Sequence, residues 1–504
     1  MNTIPIPYFF AVDLGATSGR TILGCSVEGK LKLRELTRFP NTIIQTGTHY
    51  YWDIYALYNE IIRGLKLVAD EGIHIISIGI DTWGCDFVLI GKDGGILRNP
   101  YCYRDPHTDG AMEEYFKLIP KEKVYEKTGI QFMQFNSLFQ LATLRRNHDS
   151  ALEAADKILF IPDALIYMLT NESVCEYTVL STSQLMDPRT QRIDTELIDV
   201  IGLKESQFGR YVQPGEVVGA LSKEVQDMTG LGAVQVVAVA GHDTGSAVAA
   251  VPAKDERFAY LSCGTWSLLG IETKEPIINE RSLDYNFTNE GGIEGTTRCL
   301  KDICGMWLLE RARKEKQGLS KEDGKKQPFS WPEDVNQINH DAMEAPAFQS
   351  FINPDDPRFA NPQSMIEAIQ DYCHETGQHV PDNYRELARC IFESLALRYR
   401  QVLGYLKELA PFPIERLHVI GGGTRNHYLM QMTANSTGLP VIAGPVEGTA
   451  LGNIMLQHYS LGLAQDRFDM RKNIAESIDL QTYQPQDTTA WDAAYKRFLN
   501  VTNN

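Results

Sequence analysis

In the run Val239-Ala-Gly-His242-Asp243-Thr244-Gly-Ser246, an apolar stretch ends at an aspartate just before a small-residue helix is expected. Surface charge explains a carboxylate poorly in so Ala- and Gly-rich a setting. At the carboxyl end of a strand, Asp243 could accept the proton of a bound hydroxyl. A carboxylate is a weak base, with an ordinary pKa of about 3.9. That suffices for phosphoryl transfer, whose loose transition state lets the hydroxyl shed its proton late. Two plainer readings stay open: Asp243 caps the helix that follows, and His242 is a packed histidine.

Three runs of small residues also end strand-like segments, and glycine there lets a ligand approach bare backbone. Gly15-Ala-Thr-Ser-Gly19 presents backbone N–H groups and two hydroxyls, and Arg20 adds a planar cation, a set suited to phosphate oxygens. Asp13, just before it, could hold Mg²⁺ through water. An ordinary hairpin whose arginine pairs with a carboxylate fits the same residues. Gly264-Thr265-Trp266-Ser267 repeats the pattern, and Gly421-Gly422-Gly423 offers a flat surface to a ring such as adenine. Neither GxxxxGK[ST] nor a GxGxxG after the first strand is present, so the P-loop and dinucleotide fingerprints do not apply.

The elements that must position these runs read as follows. Tyr8–Asp13, Thr21–Glu28 and Leu31–Phe39 form an antiparallel meander, Ile54–Glu71 has helical spacing, and Ile73–Ile80 is a buried parallel strand. Ala155–Met168 and Ala233–Ala240 suggest a further helix and strand. A second meander, Phe258–Cys263 and Ser267–Thr273, opens the other half. Ala388–Leu409 is an amphipathic helix, Arg416–Ile420 a buried strand, and Thr489–Leu499 a closing helix. Strand, small-residue turn, strand thus recurs, which predicts two related α/β domains, 1–247 and 248–504, meeting near residues 245–256.

The chain has 504 residues, 43% of them hydrophobic, enough for more than one buried core and too many for intrinsic disorder. A net charge of −17 repels phosphate backbones and anionic lipid, so neither nucleic acid nor membrane is expected as a partner. Any phosphate ligand then needs a local site. Nine cysteines without a CxxC pair read as reduced thiols of a cytoplasmic protein; if any pair bridges, Cys373 and Cys390 are the ones to suspect. No signal peptide is expected at the N-terminus, and no stretch reaches the roughly 20 apolar residues that span a bilayer. The charge-dense run Arg311–Lys326 reads as a solvated helix end and loop.

In this order, the elements resemble the FGGY carbohydrate kinases of the actin/Hsp70-like ATPase superfamily. Asp13-Leu-Gly-Ala-Thr-Ser-Gly-Arg20 is similar to the first phosphate motif, Gly264-Thr-Trp-Ser-Leu268 to the second, and Val419-Ile-Gly-Gly-Gly-Thr-Arg-Asn426 to the adenosine motif. Ser77-Ile-Gly-Ile-Asp-Thr-Trp-Gly-Cys-Asp-Phe-Val88, Tyr103-Arg-Asp105, Thr128-Gly-Ile-Gln-Phe132, His242-Asp-Thr244, Thr288-Asn-Glu-Gly-Gly292 and Ala443-Gly-Pro-Val-Glu447 extend the match over nearly the whole chain. The resemblance implies an α/β fold of two RNase H-like (actin-like ATPase) domains with an interdomain active-site cleft. It also implies ATP-dependent phosphorylation of L-rhamnulose at its 1-hydroxyl, with ATP and Mg²⁺ as cofactors, by a monomer or weak homodimer. L-fuculose, xylulose and glycerol are the alternative substrates. A metal-dependent phosphohydrolase using His242-Asp243, or a non-catalytic nucleotide switch or sugar sensor, are the alternative classes.

Carried over residue by residue, the resemblance makes Asp243 the catalytic base. It assigns Gly84, His242, Asp243, Thr244 and Asp302 to the sugar, with Trp83 facing the sugar or lying in the core. Ala16, Thr17, Ser18, Gly19, Arg20, Thr265, Glu310 and Gly422 fall to ATP. Members with this combination often carry neutral amides where Asp302 and Glu310 stand. Carboxylates there must contact hydroxyls or the waters of the metal if the assignment holds.

Overall fold

A nearly unbroken apolar sequence makes β1 (Tyr8–Leu14) a central strand, with Phe9 to Val12 wholly buried. It pairs antiparallel with β2 (Ser18–Val27), which pairs with β3 (Lys30–Pro40), giving the expected meander. On its other edge β1 runs parallel to β4 (Ile75–Thr82), buried on both faces as a crossover strand must be. The crossover contains the helix Ile54–Asp70, capped by the Asp53 carboxylate and burying Leu57, Ile61, Leu65 and Val68 along one stripe. β5 (Val217–Ala220) and β6 (Gln235–Val237) complete a sheet in the order β5-β6-β4-β1-β2-β3, with β6 parallel to β4. The computed structural model describes residues 6–315 and 329–502.

The same plan recurs further on. β7 (Phe258–Cys263) and β8 (Trp266–Thr273) form a hairpin. β9 (Arg416–Ile420) runs parallel to β7, β10 (Val441–Ala443) parallel to β9, and β11 (Gln481–Tyr483) antiparallel to β10. Hairpin, two parallel strands and an antiparallel edge thus occur twice. The long helix Tyr384–Leu409 buries Leu387, Ile391, Leu395, Tyr399 and Leu406; it starts four residues before the expected Ala388 because the Asn383 side chain caps it.

The chain forms two compact units. The first takes the chain up to Lys254, then Glu272–Leu300 and Gly448–Ile478; the second takes Asp255–Ile271, Lys301–Glu447 and the chain from Asp479. Segments 272–300 and 448–478 of the expected second domain therefore pack in the first unit.

Several local expectations shift. Ala155–Met168 divides into a strand (Ala155–Phe160) and a helix (Ile161–Thr170) that Pro162 opens, since its missing N–H costs nothing in a first turn. Trp266 belongs to β8 and leaves Gly264-Thr265 as the turn. Of the run Arg311–Lys326, residues to Lys314 form the helix Trp307–Lys314, and 316–326 lie outside the described residues. All nine cysteines are free thiols. Cys373 and Cys390 are nonetheless hydrogen-bonded neighbours, which lowers the thiol pKa of Cys373 and raises that of Cys390. Among the described residues no helix is long and apolar enough to cross a membrane.

Candidate active site

Parallel pairing of β1 with β4 sets Asp13 opposite Asp81 at the carboxyl ends of both strands. One residue on, Thr82 bridges to His242, its N–H donating to the Gly241 carbonyl at 2.8 Å. Three aspartates separated by 162 residues or fewer on either side of Asp81, namely Asp13, Asp81 and Asp243, therefore share one corner of the first unit, where Asp13 raises the pKa of both others and Asp243 that of Asp81. Asp81 is wholly buried. Burial first, then the charge of Asp13, holds its carboxyl well above the usual range, against a hydrogen bond from Asn453 Nδ2 to Oδ2 at 2.6 Å. Its Oδ1 has no hydrogen-bond partner. Asn453 is fixed in turn by Gln457, which also accepts from Ser77.

Asp243 opens the short helix Asp243–Ala249. Its Oδ1 accepts from the Thr244 N–H at 2.6 Å and from the Thr244 hydroxyl at 3.2 Å. The side chain keeps 31% of its exposure, so a substrate can reach it. Burial raises its pKa, His242 opposes this, and Asp13 adds to it. The loop beneath is pinned by a buried carboxylate: Glu176 Oε2 accepts from the Gly241 N–H (3.0 Å) and the Thr178 hydroxyl (2.6 Å), and that hydroxyl accepts from the His242 N–H (3.1 Å). Behind the helix stands Gly452, where a Cβ would lie 1.8 Å from the Ser246 carbonyl oxygen. Only glycine permits that approach.

Gly84 follows β4 by two residues, and a Cβ there would meet Thr182 Oγ1 at 2.7 Å. Trp83 is a core residue: it is 5% exposed and its indole N–H donates to buried Asp86 at 3.0 Å. Asp86 also accepts from Trp52 (2.6 Å), Gln140 (2.9 Å) and the Tyr103 N–H (3.1 Å), and burial pushes its pKa up to about 6.

The first glycine run is shorter than expected. Ala16 and Thr17 make the bend, whereas Ser18, Gly19 and Arg20 already lie in β2. Gly19 serves packing, since a Cβ would strike the Phe39 ring at 2.4 Å. Arg20 is held by Asp13, with Nη2 and Nε at 2.7 and 3.0 Å from Oδ2.

In the second unit, Thr265 stands exposed at the tip of the β7–β8 hairpin, and its carbonyl accepts the Trp307 N–H (3.1 Å) at the start of the helix bearing Glu310. Glu310 pairs with Arg313 at 3.0 Å and remains 43% exposed. Gly421 and Gly423 close on Cys263, one residue before that hairpin turn. Gly421 has φ of 89°, and a Cβ on Gly423 would lie 2.2 Å from Cys263 Sγ. Gly422 has nothing within 4 Å of a Cβ, so it alone of the three presents open backbone. Thr265 thus lies beside the start of the helix bearing Glu310, and the glycines flanking Gly422 lie against the residue before the hairpin turn. Asp302, in the strand Thr297–Cys304, is half-buried beside Lys301, whose pKa burial lowers to about 8.

The carboxylate corner suits a hydrated cation. Among the described residues the one trio of metal-ligating atoms within 4.8 Å is His340, Asp341 and Glu344, so the three aspartates do not close on one ion directly. Mg²⁺ retains most of its waters and accepts such spacing, and the unpartnered Asp81 Oδ1 fits an acceptor for one of them. Asp81, Glu176 and Asn453 were not singled out as site residues from sequence. The signals for Asp81 were a charge inside an apolar strand, as at Asp13, and its place in the run Ser77–Val88 that carries the family resemblance.

Two family models match the chain, the N-terminal domain of the FGGY family of carbohydrate kinases over residues 8–250 and its C-terminal domain over 259–461. The chain is 62% identical over 492 residues to a rhamnulokinase of Bacteroides thetaiotaomicron, covering 98% of this chain and 99% of that protein. It is 40% identical over 479 residues to a rhamnulokinase of Bacillus subtilis, covering 95% and 96%. In fold it is similar to a gluconate kinase from Lactobacillus acidophilus (TM-score 0.80, 17% identity, 99% and 98% of the two chains). A Plasmodium falciparum glycerol kinase with ADP is also similar (TM-score 0.75, 16% identity, 98% and 99%).

Proposed function

The chain belongs to the FGGY family of carbohydrate kinases, and we propose that it transfers the γ-phosphoryl group of ATP to the 1-hydroxyl of L-rhamnulose, giving L-rhamnulose 1-phosphate and ADP in L-rhamnose catabolism. The observation that carries this reading is the 62% identity, over nearly the full length of both chains, to a protein named rhamnulokinase. The chemistry of the first unit supports it. Asp243 is a carboxylate with a raised pKa that is still open to solvent, which makes it a better proton acceptor than an ordinary aspartate. Donors collect on its Oδ1, leaving Oδ2 for the sugar hydroxyl, whose proton it takes as the bond to phosphorus forms.

We assign Gly84, His242, Thr244 and Asp302 to the sugar, and Ala16 to Arg20, Thr265, Glu310 and Gly422 to ATP. Gly422 is the strongest of the nucleotide assignments, because its backbone is bare. Glu310 enters with its charge offset by Arg313. Asp13 and Asp81 would hold the waters of a Mg²⁺ ion, which would neutralise charge on the transferring group. A cytoplasmic location belongs to the same proposal.

One experiment tests the reading: ADP release measured over L-rhamnulose, L-fuculose, xylulose and glycerol, with wild type and Asp243→Asn. L-rhamnulose is expected to give the highest kcat/KM, and the variant to lose about 10²- to 10⁴-fold in kcat at near-normal ATP KM. Preference for another acceptor would replace the substrate, and full turnover by the variant would remove Asp243 from its role.

A further inference from the structure

His242 lies between two carboxylates and a buried guanidinium, all in the first unit. Its Nε2 is 3.4 Å from Asp243 Oδ1, and its Nδ1 is 3.1 Å from Glu290 Oε2 and 3.2 Å from Arg298 Nη2. Arg298 has no exposed surface. It is anchored by Nε donating to the Gly291 carbonyl at 2.8 Å and by its ion pair with Glu290, Nη2 to Oε2 at 3.1 Å. Glu290 is 6% exposed; burial raises its carboxyl, and the charge of Arg298 together with the contacts of His242 and Arg298 outweighs this and holds it below the usual range.

Burying one charge requires a partner, and here Arg298 and Glu290 already compensate each other. The imidazole need not carry charge to satisfy either. Nδ1 faces a carboxylate that can only accept and a guanidinium that can only donate; Glu290 Oε2 takes part in no hydrogen bond whereas Arg298 Nη2 bonds Nδ1, so the histidine accepts there. In a neutral ring the proton then sits on Nε2, the atom that faces Asp243.

We propose that Arg298, held by Glu290, is a positioning residue for phosphoryl transfer: it fixes His242 as the Nε2–H tautomer, whose N–H holds Asp243 Oδ1 and turns Oδ2 toward the acceptor hydroxyl. This rests on the reading of Asp243 as the base. His242 Nε2–H, the Thr244 N–H and the Thr244 hydroxyl all converge on Oδ1, so the carboxylate cannot rotate without breaking three contacts. The 3.4 Å separation is long for a hydrogen bond, as catalytic contacts often are before substrate binds. Glu290 and Arg298 come from Thr288–Gly291 and Thr297–Cys304, strands that pair with Glu290 directly opposite Arg298, so the register itself builds the pair.

The test has a spectroscopic arm and a kinetic arm. Two-bond ¹⁵N–¹H correlation of ¹⁵N-histidine protein at pH 7.5, with the His242 signals identified by their loss in His242→Asn, is expected to show His242 protonated at Nε2 alone. Protonation at Nδ1 alone, or at both nitrogens, would overturn the proposal with no Arg298 variant needed. Arg298→Lys keeps the charge beside Glu290 but loses the reach to Nδ1. It is expected to lower kcat about 10- to 100-fold while ATP KM moves less than about twofold. Combined with His242→Asn it should cost little more than His242→Asn alone, because both changes remove one contact to Asp243. Unchanged kcat, or losses that multiply, would overturn it. If Asp243→Asn is inactive while Arg298→Lys is normal, only the positioning role falls; if Asp243→Asn retains turnover, the base assignment falls instead.

Discussion

Burial of the Asp86 carboxylate outweighs the four donors that converge on it, and this sets a pH dependence with a definite sign. Below about pH 4 the group is protonated in folded and unfolded chains alike, and above about pH 6 it is ionised in both. Between them only the folded chain holds the proton, so stability falls as pH rises through this window, by about 3 kcal/mol from Asp86 alone. Urea unfolding between pH 4 and 7 should show Asp86→Asn less stable than wild type at pH 4 but with a smaller loss on going to pH 7. Parallel curves would mean that Asp86 is not the titrating group. At this scale the sequence was legible where the chemistry is contiguous: Asp243 and Gly422 stood out because their neighbours are small or apolar. Asp81, Glu176, Glu290, Arg298 and Asn453 did not, because each acts through strand register or across a long gap in the chain, and a single side chain in a run carries no record of its partner. The bareness of Gly19 likewise answers to a residue outside its run, Phe39, twenty positions along.

Among the elements, the three glycines after β9 offer an internal comparison. A methyl at Gly423 collides with Cys263, whereas one at Gly422 meets nothing in the chain. Gly423→Ala should therefore destabilise the protein by about 1–3 kcal/mol, seen as a lowered Tm. Gly422→Ala should leave Tm in place and raise ATP KM about 5- to 30-fold, as expected if the nucleotide lies on that backbone. An unchanged ATP KM would remove Gly422 from the nucleotide site. Helix packing gives a similar lever: Gly452→Ala drives a methyl into the Ser246 carbonyl and must displace the helix that begins at Asp243. A fall in kcat larger than any change in ATP KM is expected. Most strands and the long helices were legible here, since a buried run or a 3.6-residue stripe is a local property. The strand Ala155–Phe160 was not, because an apolar stretch running into a helix has no periodicity to separate the two.

At the scale of the whole molecule, the recurrence of strand, turn and strand correctly pointed to a repeated plan, now seen as a hairpin, two parallel strands and an antiparallel edge in each of two sheets. What the recurrence could not reveal is that the chain changes unit five times, after Lys254, Ile271, Leu300, Glu447 and Ile478. Glu290, Arg298, Gly452 and Asn453 all belong to the first unit but lie beyond residue 247. A fragment of residues 1–247 therefore lacks the side chains that satisfy Asp81 and the helix that Ser246 packs against. It is expected to be insoluble or to melt without a cooperative transition, as circular dichroism would report; a sharp transition would contradict this. The interleaving also bears on how such genes can exchange parts. A chimera joined at one central point between two distant relatives would assemble its first unit from mixed parentage, with side chains of different origin wherever 272–300 and 448–478 meet the leading segment. A recombinant that inherits those two stretches together with the leading segment keeps that unit's ancestry whole, so productive shuffling calls for several coordinated junctions.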